Sequence, residues 1–499
     1  MQSEVFMKLE VYKIGGKWMN IEGKVNGASK WSLITELLSK LVSPIMNMIL
    51  ARILVPEAFG MVATITMVTS FADIFTDAGF QKFLVQGEFE SDLELDQSTN
   101  VAFWTNFSLS MIVWFLIITF RHQLAEAVGN SGLGNALAIA ACAIPLTSFS
   151  SIQMARYRRD FDFKTLFFAK LLGIFIPLLV TVPLAFILKN FWALVIGNLT
   201  IQLANAVLLT ARSKWKPQFF YSFKLLKGML GFSLWTLLEQ MLGWANLNIG
   251  VFIVGRFLSP YYLGIYKTSM ATANQVMSII VNAFSPVILA ALSRMKNDSV
   301  GFKTLFYKFE ERISFVILPL GVGMFVFRDF VTMVLLGNQW TEATAFIGLW
   351  GLMRALLIVF GMFSMEVFVS MGRPKFSVLS QFLVLVALLP TLMIVAPKGY
   401  NTLYVARSMV VVWCMIVELT LLKVVAGISP IKIFSVCAPH LIAAIIMGVI
   451  GHLMLTVNTG IVWQIVSVFV CIATYFSSLL LWPKSRRTMK DIWLMIVER

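Results

Sequence analysis

Polar side chains recur at helical spacing inside two apolar stretches near the start of the chain. Intervals of three or four residues place each set along one face of a helix. The first set is Glu36, Lys40, Ser43 and Asn47, and the second is Thr66, Ser70, Asp73 and Asp77. Charged groups are costly in lipid, so such faces are typical of helices that line a watery path through a membrane.

Two stretches later in the chain repeat this pattern. The polar residues of the earlier one are Glu239, Gln240, Asn246 and Asn248, and those of the later one are Lys267, Asn274, Ser278 and Asn282. We expect these four helices to line one shared cavity. The residues that could bind a coupling ion there are Glu36, Asn47, Asp73, Asp77, Glu239 and Asn274.

Four cations lie within apolar stretches, namely Lys40, Lys267, Arg354 and Arg407. At about 1.5 Å per residue, they fall well inside the predicted membrane, whereas the carboxylates lie nearer the cytoplasmic side. These carboxylates are Glu36, Asp73, Asp77, Glu366 and Glu418. Fixed positive charge in such a cavity suits an anionic cargo. Two alternatives remain: Glu36 and Lys40 neutralise each other, or Asp77 and Glu418 extend to the interface.

Residue patterns typical of enzymes and metal sites are absent. The chain has no phosphate-binding G-x-x-x-x-G-K-[ST] loop, no H-E-x-x-H and no G-x-S-x-G. Its three histidines are scattered and its four cysteines show no C-x-x-C spacing. We therefore predict neither a catalytic residue nor a metal or cofactor. The net charge of +15 is explained by basic cytoplasmic loops, and nucleic acid is not an expected partner.

The composition predicts an all-α membrane protein. Hydrophobic residues make up 59% of the 499 residues and charged residues 13%. Fourteen apolar segments are predicted, at about 31–51, 59–80, 99–120, 132–152, 165–188, 191–211, 229–254, 261–291, 313–336, 344–370, 376–396, 400–421, 433–455 and 460–482. The predicted organisation is a cytoplasmic segment 1–30, a six-helix bundle 31–211, a basic linker 212–228, a second bundle 229–421, two further helices within 433–482, and a basic tail 483–499.

Basic residues set the predicted orientation. With the N-terminus inside, the cytoplasmic connections and termini hold 30 Lys and Arg residues and the outer connections hold 6. This asymmetry places both termini in the cytoplasm and favours an even number of spans.

An internal repeat relates the two predicted bundles. Residues 51–60 and 255–264 match at four positions, which are Arg52 and Arg256, Leu54 and Leu258, Pro56 and Pro260, and Gly60 and Gly264. Six predicted spans separate the copies, so both have the same orientation in the membrane. The halves are thus predicted to be parallel repeats, an arrangement that binds substrate between halves and alternates between two openings.

Several short motifs follow one another along the chain, namely Gly27-Ala-Ser-Lys-Trp-Ser32, 49–60, Asp77-Ala-Gly-Phe80, Leu84-Val-Gln86, 156–163, 255–264, Ala291-Leu-Ser-Arg294, Leu336-Gly-Asn-Gln-Trp340 and Gly372-Arg-Pro-Lys375. In their order and spacing they resemble the Wzx-type polysaccharide-transport branch of the multidrug/oligosaccharidyl-lipid/polysaccharide exporter superfamily. The motifs cover about 27–376, and the last four spans match in hydropathy alone.

The resemblance implies two six-helix bundles with two extra C-terminal helices and a basic central cavity. It also implies export of undecaprenyl-diphosphate-linked oligosaccharide across the bacterial inner membrane for surface polysaccharide synthesis. Expected partners are this substrate, membrane lipids, a polysaccharide polymerase and chain-length proteins. Two alternatives stay open. A multidrug or small-solute exporter would have a carboxylate-rich cavity for cations, and Asp73, Asp77 and Glu239 are consistent with one. The other alternative is a membrane-embedded sugar-transferring enzyme, which the short outer connections disfavour.

Overall fold

The computed structural model describes residues 12–14, 17–19, 21–77, 79–482 and 486. Within these ranges, the side chains at 12–14, 17–19, 21–30, 32–33, 36–37, 40–41, 75–77, 230–236 and 238–239 are outside the description. The predicted roles of Glu36, Lys40, Asp77 and Glu239 therefore fall outside the described side chains. The chain divides into two compact units, Met1–Trp244 and Ala245–Arg499, with the division inside one long helix.

The first unit is helical apart from a short antiparallel hairpin. The hairpin pairs β1 (Tyr12–Ile14) with β2 (Lys17–Met19). The helices are α1 (Ile21–Ile53), α2 (Pro56–Asp77), α3 (Phe80–Gln86), α4 (Asp92–Thr119), α5 (Arg121–Ala127), α6 (Gly134–Ala140), α7 (Ala143–Arg159), α8 (Phe163–Ile176), α9 (Val182–Leu188), α10 (Trp192–Arg212) and the first part of α11 (Phe223–Phe257). A π-helical segment, Pro177–Thr181, joins α8 to α9.

The second unit contains the rest of α11 and nine further helices. These are α12 (Pro260–Arg294), α13 (Ser299–Val326), α14 (Arg328–Leu335), α15 (Thr344–Leu357), α16 (Ser364–Ser370), α17 (Lys375–Val395), α18 (Tyr400–Ala426), α19 (Pro430–Val457) and α20 (Ile461–Leu479). Short 3₁₀ segments span Asn338–Ala343 and Ala396–Lys398, and a π-helical segment, Ile358–Met362, leads into α16. Helices dominate because lipid cannot satisfy backbone hydrogen-bonding groups.

The described helices agree with a membrane-spanning protein. Eleven helices or helix groups are long and apolar enough to cross a membrane. A twelfth span is α13 with α14 if this pair, bent by 90°, counts as one. Helices α1 and α11, of 33 and 35 residues, coincide with the first and seventh predicted segments. The all-α fold is confirmed, whereas the count of fourteen spans stays a prediction.

The ninth predicted segment was placed too late in the chain. It was expected at 313–336, after a connection at 292–312. Instead α13 begins at Ser299, so the connection to α12 consists of residues 295–298 and three of its expected basic residues lie in the helix. Asp298 caps α13 by accepting hydrogen bonds from the backbone N–H groups of Val300 and Gly301 at 3.1 and 2.9 Å. A hydropathy window misses this first part because its charged residues mask a helical apolar stripe.

Candidate functional site

Three of the predicted cavity cations lie on neighbouring helices of the second unit. Lys267 is on α12, Arg354 on α15 and Arg407 on α18. Helix α15 packs against both α12 and α18. With about 1.5 Å of rise per residue, Lys267 and Arg407 lie about 10 Å from the first residues of their helices, and Arg354 about 15 Å.

An aromatic cluster brings the first turns of these three helices together. The ring of Tyr262 lies 5.1 Å from that of Tyr400, and the ring of Tyr266 lies 5.5 Å from that of Phe346. Phe346 also lies 5.7 Å from Tyr404. The three helices therefore start at the same end of the unit, and the cations lie within the same half of it. The sequence signal for this cluster is a spacing of four residues between two tyrosines on each of two helices. They are Tyr262 and Tyr266 on α12, and Tyr400 and Tyr404 on α18.

The described contacts of the two arginines include neutral groups. The guanidinium of Arg407 lies over the ring of Trp350, 4.6 Å from its centroid. Arg354 donates from Nη2 to the sulfur of Met362 at 3.7 Å, a long and weak contact. Lys267 is half-buried. Among the described side chains, none of the three forms an ion pair with a carboxylate.

Two of these cations act on each other. The charges of Arg354 and Arg407 are close enough to interact electrostatically across the packed helices α15 and α18. Like charges repel more strongly in a low-dielectric interior than in water. An anion bound between them would relieve this repulsion, and a planar guanidinium can hold a phosphate through two parallel hydrogen bonds.

The two carboxylates predicted inside this unit, Glu366 and Glu418, lie away from the helix ends that the aromatic cluster joins. Glu418, eight residues before the end of α18, is half-buried and accepts hydrogen bonds from Ser364, at 2.5 Å, and from Ser380. Glu366 on α16 accepts a hydrogen bond from Ser285. The alternative in which Glu418 extends to the interface is wrong for this structure, because two serine hydroxyls hold it inside the unit.

Two buried ionisable residues were not predicted. Glu310, expected in a cytoplasmic connection, is 2% exposed on α13. His440 on α19 is 1% exposed and shares a 2.8 Å hydrogen bond with Ser314. The apolar spacing of Phe302, Phe306 and Phe309 could have indicated a buried helical face around Glu310. His440 had no such signal.

The remaining predicted cavity residues with described side chains are Asp73, Asn47 and Asn274. Asp73 is half-buried and accepts a hydrogen bond from Thr147 on α7 at 3.4 Å. Asn47 on α1 is exposed. Asn274, two turns after Lys267, is half-buried, and its side-chain oxygen accepts no hydrogen bond from a described residue.

The two repeat turns occupy equivalent places in their helices. Each arginine is the penultimate residue of a long helix, each proline is the first residue of the next helix, and each glycine is buried one turn later. These residues are Arg52, Pro56 and Gly60 at the α1–α2 turn, and Arg256, Pro260 and Gly264 at the α11–α12 turn. Proline suits the first helical position because its missing N–H would have no partner there. The matching geometry indicates a structural role for the motif.

The shared motifs of the first unit also meet in the fold. Arg159, at the end of α7, donates hydrogen bonds to the carbonyl oxygens of Leu84 at 2.9 Å and Gly87 at 2.8 Å. Its guanidinium lies 4.7 Å from the ring centroid of Phe89. Gly79 has a left-handed φ of 78°, which favours glycine in the turn before α3. The motifs around 79–87 and 156–163 thus form one folded junction.

An apolar cavity of about 530 Å³ lies within the second unit. It is lined by parts of α12, α13, α14, α19 and α20, among them Phe315, Met324, Phe327, Met447 and Phe476. Its lining offers almost no polar surface, so it suits a hydrocarbon rather than a sugar or a charged group.

Comparisons with known proteins agree with this architecture. The family model described as "Polysaccharide biosynthesis protein" matches residues 49–345, more than half of the chain. An uncharacterised membrane protein from the cps region of Klebsiella pneumoniae is 25% identical over 64% of this chain and 66% of its own length. The succinoglycan biosynthesis transport protein ExoT of Rhizobium meliloti is 22% identical, over 62% of each chain. The lipopolysaccharide biosynthesis protein WzxC of Escherichia coli is 20% identical, over 65% of each. The chain matches slightly less than two thirds of the length of these relatives.

Solved structures share the fold at low sequence identity. The lipid II flippase MurJ in an inward closed conformation superposes with a TM-score of 0.72 and 14% identity, over 94% of this chain and 99% of MurJ. An inward-facing multidrug resistance MATE transporter of the MOP superfamily gives a TM-score of 0.61 and 14% identity, over 78% of this chain and 94% of the transporter. The chain therefore belongs to the polysaccharide biosynthesis protein family, in agreement with the polysaccharide-transport family that its motifs resemble.

Proposed function

We propose that this protein moves an undecaprenyl-diphosphate-linked oligosaccharide across the bacterial inner membrane during the synthesis of a surface polysaccharide. The observation that carries the proposal is the set of cations Lys267, Arg354 and Arg407, which lie inside the second unit with no described carboxylate paired to them. A charged side chain inside a membrane protein is costly unless it binds a ligand or pairs with another charge.

The diphosphate of the cargo is the expected ligand of these cations. Phosphate oxygens accept hydrogen bonds from ammonium and guanidinium groups, and these bonds are strong away from bulk water. Lys267 can follow a shifting anion as a point charge, whereas Arg354 and Arg407 can hold it with fixed geometry. We propose Lys40 as the corresponding cation of the first unit, and alternating access between the units as the route.

Three further observations support a lipid-linked cargo. The apolar cavity of about 530 Å³ has room for part of a hydrocarbon chain. The relatives ExoT and WzxC are named for succinoglycan transport and lipopolysaccharide biosynthesis. MurJ, which shares the fold, is described as a lipid II flippase. These relatives also favour a transporter over an enzyme. On the distribution of basic residues we propose cytoplasmic termini, and we propose a polymerase and chain-length proteins as candidate partners.

A second candidate function is export of a cationic drug or small solute. The buried Glu310 and the half-buried Glu366 and Glu418 favour it, because carboxylates inside a membrane protein can bind organic cations. The MATE transporter that shares the fold is described as a multidrug resistance protein. The free cations and the family membership make this the weaker candidate.

Deletion of the gene in its source bacterium separates the two functions. Loss of a flippase should leave lipid-linked oligosaccharide on the cytoplasmic side and deplete the surface polysaccharide, while drug susceptibility stays unchanged. Radiolabelled lipid extracts and polysaccharide gels measure the first two quantities, and growth inhibition measures the third. Normal surface polysaccharide together with increased drug susceptibility would contradict the proposal and support the exporter.

A further inference from the structure

The connection between α10 and α11 forms an ordered arm, defined here as residues 213–223. Inward and outward side chains alternate at its start. Ser213 and Trp215 are buried, whereas Lys214 and Lys216 are exposed. Alternation of this kind is typical of extended chain that lies on a folded surface.

Helix α4 holds the arm through specific hydrogen bonds. The backbone N–H of Gln218 donates to the side-chain oxygen of Asn100 at 2.9 Å, and the indole N–H of Trp104 donates to the carbonyl oxygen of Gln218 at 2.8 Å. The hydroxyl groups of Thr105 and Tyr221 are 3.0 Å apart. Because the backbone is held in place, the outward side chains of the arm have a fixed direction.

The outward side of the arm combines large aromatic rings with basic groups. Phe219 is 96% exposed, and Phe223, at the start of α11, is 77% exposed. The exposed basic residues around them are Arg212, Lys214, Lys216, Lys224 and Lys227. No Asp or Glu occurs between Asp162 and Glu239, so the arm itself carries no carboxylate. The outward side chains of the arm therefore combine apolar and positive groups.

The position of the arm defines what it faces. It begins where α10, a candidate membrane span, ends at Arg212, and it ends where the 35-residue α11 begins. A segment that joins two spanning helices lies at the level of the lipid headgroups. Aromatic rings and lysines are both favoured there, the rings at the boundary with the acyl chains and the lysines beside phosphate groups.

We propose that the arm is a binding site for the headgroups of anionic phospholipids. Phe219 and Phe223 enter the boundary between headgroups and acyl chains, and Lys214, Lys224 and Lys227 contact the phosphates. Charge complementarity selects anionic over zwitterionic lipid, since each lysine near a negatively charged leaflet contributes about a fivefold gain in affinity. The proposal is independent of the transported substrate.

The test measures the thermal unfolding midpoint of the full-length protein in detergent during titration with phosphatidylglycerol or phosphatidylcholine. We expect phosphatidylglycerol to raise the midpoint at low salt, less so at high salt, and phosphatidylcholine to have little effect. The triple variant Lys214→Gln, Lys224→Gln, Lys227→Gln should need on the order of a hundredfold more phosphatidylglycerol for the same shift. Lys216 is left unchanged because it also caps α10 by donating to the carbonyl oxygens of Thr210 and Ala211.

The matched control removes equal charge elsewhere in the first unit, as Lys164→Gln, Lys170→Gln, Lys189→Gln, and should keep the phosphatidylglycerol response. The single variant Phe219→Ser should weaken the response to phosphatidylglycerol, and its midpoint in lipid-free detergent measures separately the loss of the stacking of this exposed ring on Trp104. Equal shifts of the unfolding midpoint with phosphatidylglycerol and phosphatidylcholine would overturn the proposal and favour a partner protein as the ligand of the arm. An unchanged response in the triple variant, or an equal loss in the control, would overturn it as well.

Discussion

Lys267, Arg354 and Arg407 share a feature that sets them apart from the loop cations of this chain. They lie about 10–15 Å from the first residues of three packed helices, and among the described side chains none of them pairs with a carboxylate. Arg407 lies over an indole ring, Arg354 contacts a thioether, and the two arginines act on each other. A structural ion pair does not account for charges in this setting. We propose that a negatively charged ligand accounts for them, and that this ligand is the diphosphate of the cargo.

Substitution of these cations should stop export without unfolding the protein. We expect Lys40→Ala, Lys267→Ala and Arg354→Ala each to lower export of lipid-linked oligosaccharide in cells by more than tenfold, because each removes a charge-assisted contact with the phosphates. Lys267→Arg should retain part of the activity. Lys398→Ala, an exposed lysine in the same unit, is the control and should export normally. Normal export by the Lys40 and Lys267 variants at matched protein levels would show that the two lysines are structural.

Arg159 is predicted to stabilise the first unit rather than to act on the cargo. Arg159→Ala removes a charged donor from two backbone carbonyl oxygens, so the free energy of unfolding should fall by about 1.5–3 kcal/mol. Arg158→Ala is the matched control, because its exposed side chain makes one 3.3 Å hydrogen bond to Gln81. Its effect should stay within about 0.5 kcal/mol. Denaturant unfolding in detergent measures both, and equal losses would contradict the assignment.

The sequence allowed prediction of which cations lie within apolar helices, but not of their neighbours. A charged residue inside an apolar run can be recognised from the sequence, whereas the stacking of Arg407 on Trp350 depends on how α15 packs against α18. Glu310 was missed for a different reason. The charged residues before Ile313 lower the mean hydropathy of this stretch to a value typical of a loop. They nevertheless belong to α13, whose other face is buried.

Small residues allow close packing of α13 in the second unit. A Cβ atom at Gly321 would collide with the Cβ of Ala355 on α15, whereas the same atom at Gly323 would meet no neighbour within 4 Å. Glycine at such a contact lets two helix backbones approach closely in a membrane.

This contrast gives a matched pair of variants on one helix. Gly321→Ala should lower the free energy of unfolding by about 1–3 kcal/mol, because the added methyl group pushes α13 away from α15. Gly323→Ala should be neutral or raise it by up to about 1 kcal/mol, because alanine is the better helix former. Thermal unfolding in detergent measures both variants. If Gly321→Ala is as stable as Gly323→Ala, the close packing of these helices is not a source of stability.

Helix existence was more predictable than helix shape. Apolar runs mark the spans because lipid contact demands them, so each predicted segment overlaps a helix, although the ninth is displaced. The 90° bend between α13 and α14 and the π-helical segments at 177–181 and 358–362 have no counterpart in hydropathy. The segment at 177–181 begins at Pro177, and a proline inside a helix removes one backbone hydrogen bond.

The predicted topology of the whole chain rests on the distribution of Lys and Arg residues, with 30 in the predicted cytoplasmic connections and termini and 6 in the outer connections. We predict that reporter fusions after Lys189 and Lys398 are outside and fusions after Arg159 and Asn297 are inside. Asn297 replaces the boundary expected near Arg312, because Arg312 lies within α13. Two adjacent fusions on the wrong side would contradict both the fourteen-span count and the cytoplasmic termini.

The parallel repeat is a separate prediction about the whole molecule. The α1–α2 and α11–α12 turns already match in the positions of arginine, proline and glycine. An experimental structure should superpose these helix pairs by a rotation about an axis near the membrane normal. An axis in the membrane plane would show that the sequence match is coincidental.

The central claim is tested most directly by translocation in proteoliposomes that contain the purified protein and an undecaprenyl-diphosphate-linked oligosaccharide. A sugar-modifying reagent confined to one side of the membrane measures how fast the headgroup crosses. The account predicts that the wild-type protein and Lys398→Ala move the headgroup well above the rate of protein-free vesicles, and that Lys267→Ala and Arg354→Ala are at least tenfold slower. If the wild-type protein does not exceed protein-free vesicles, or if the cavity variants match it, the proposed function of these cations is contradicted.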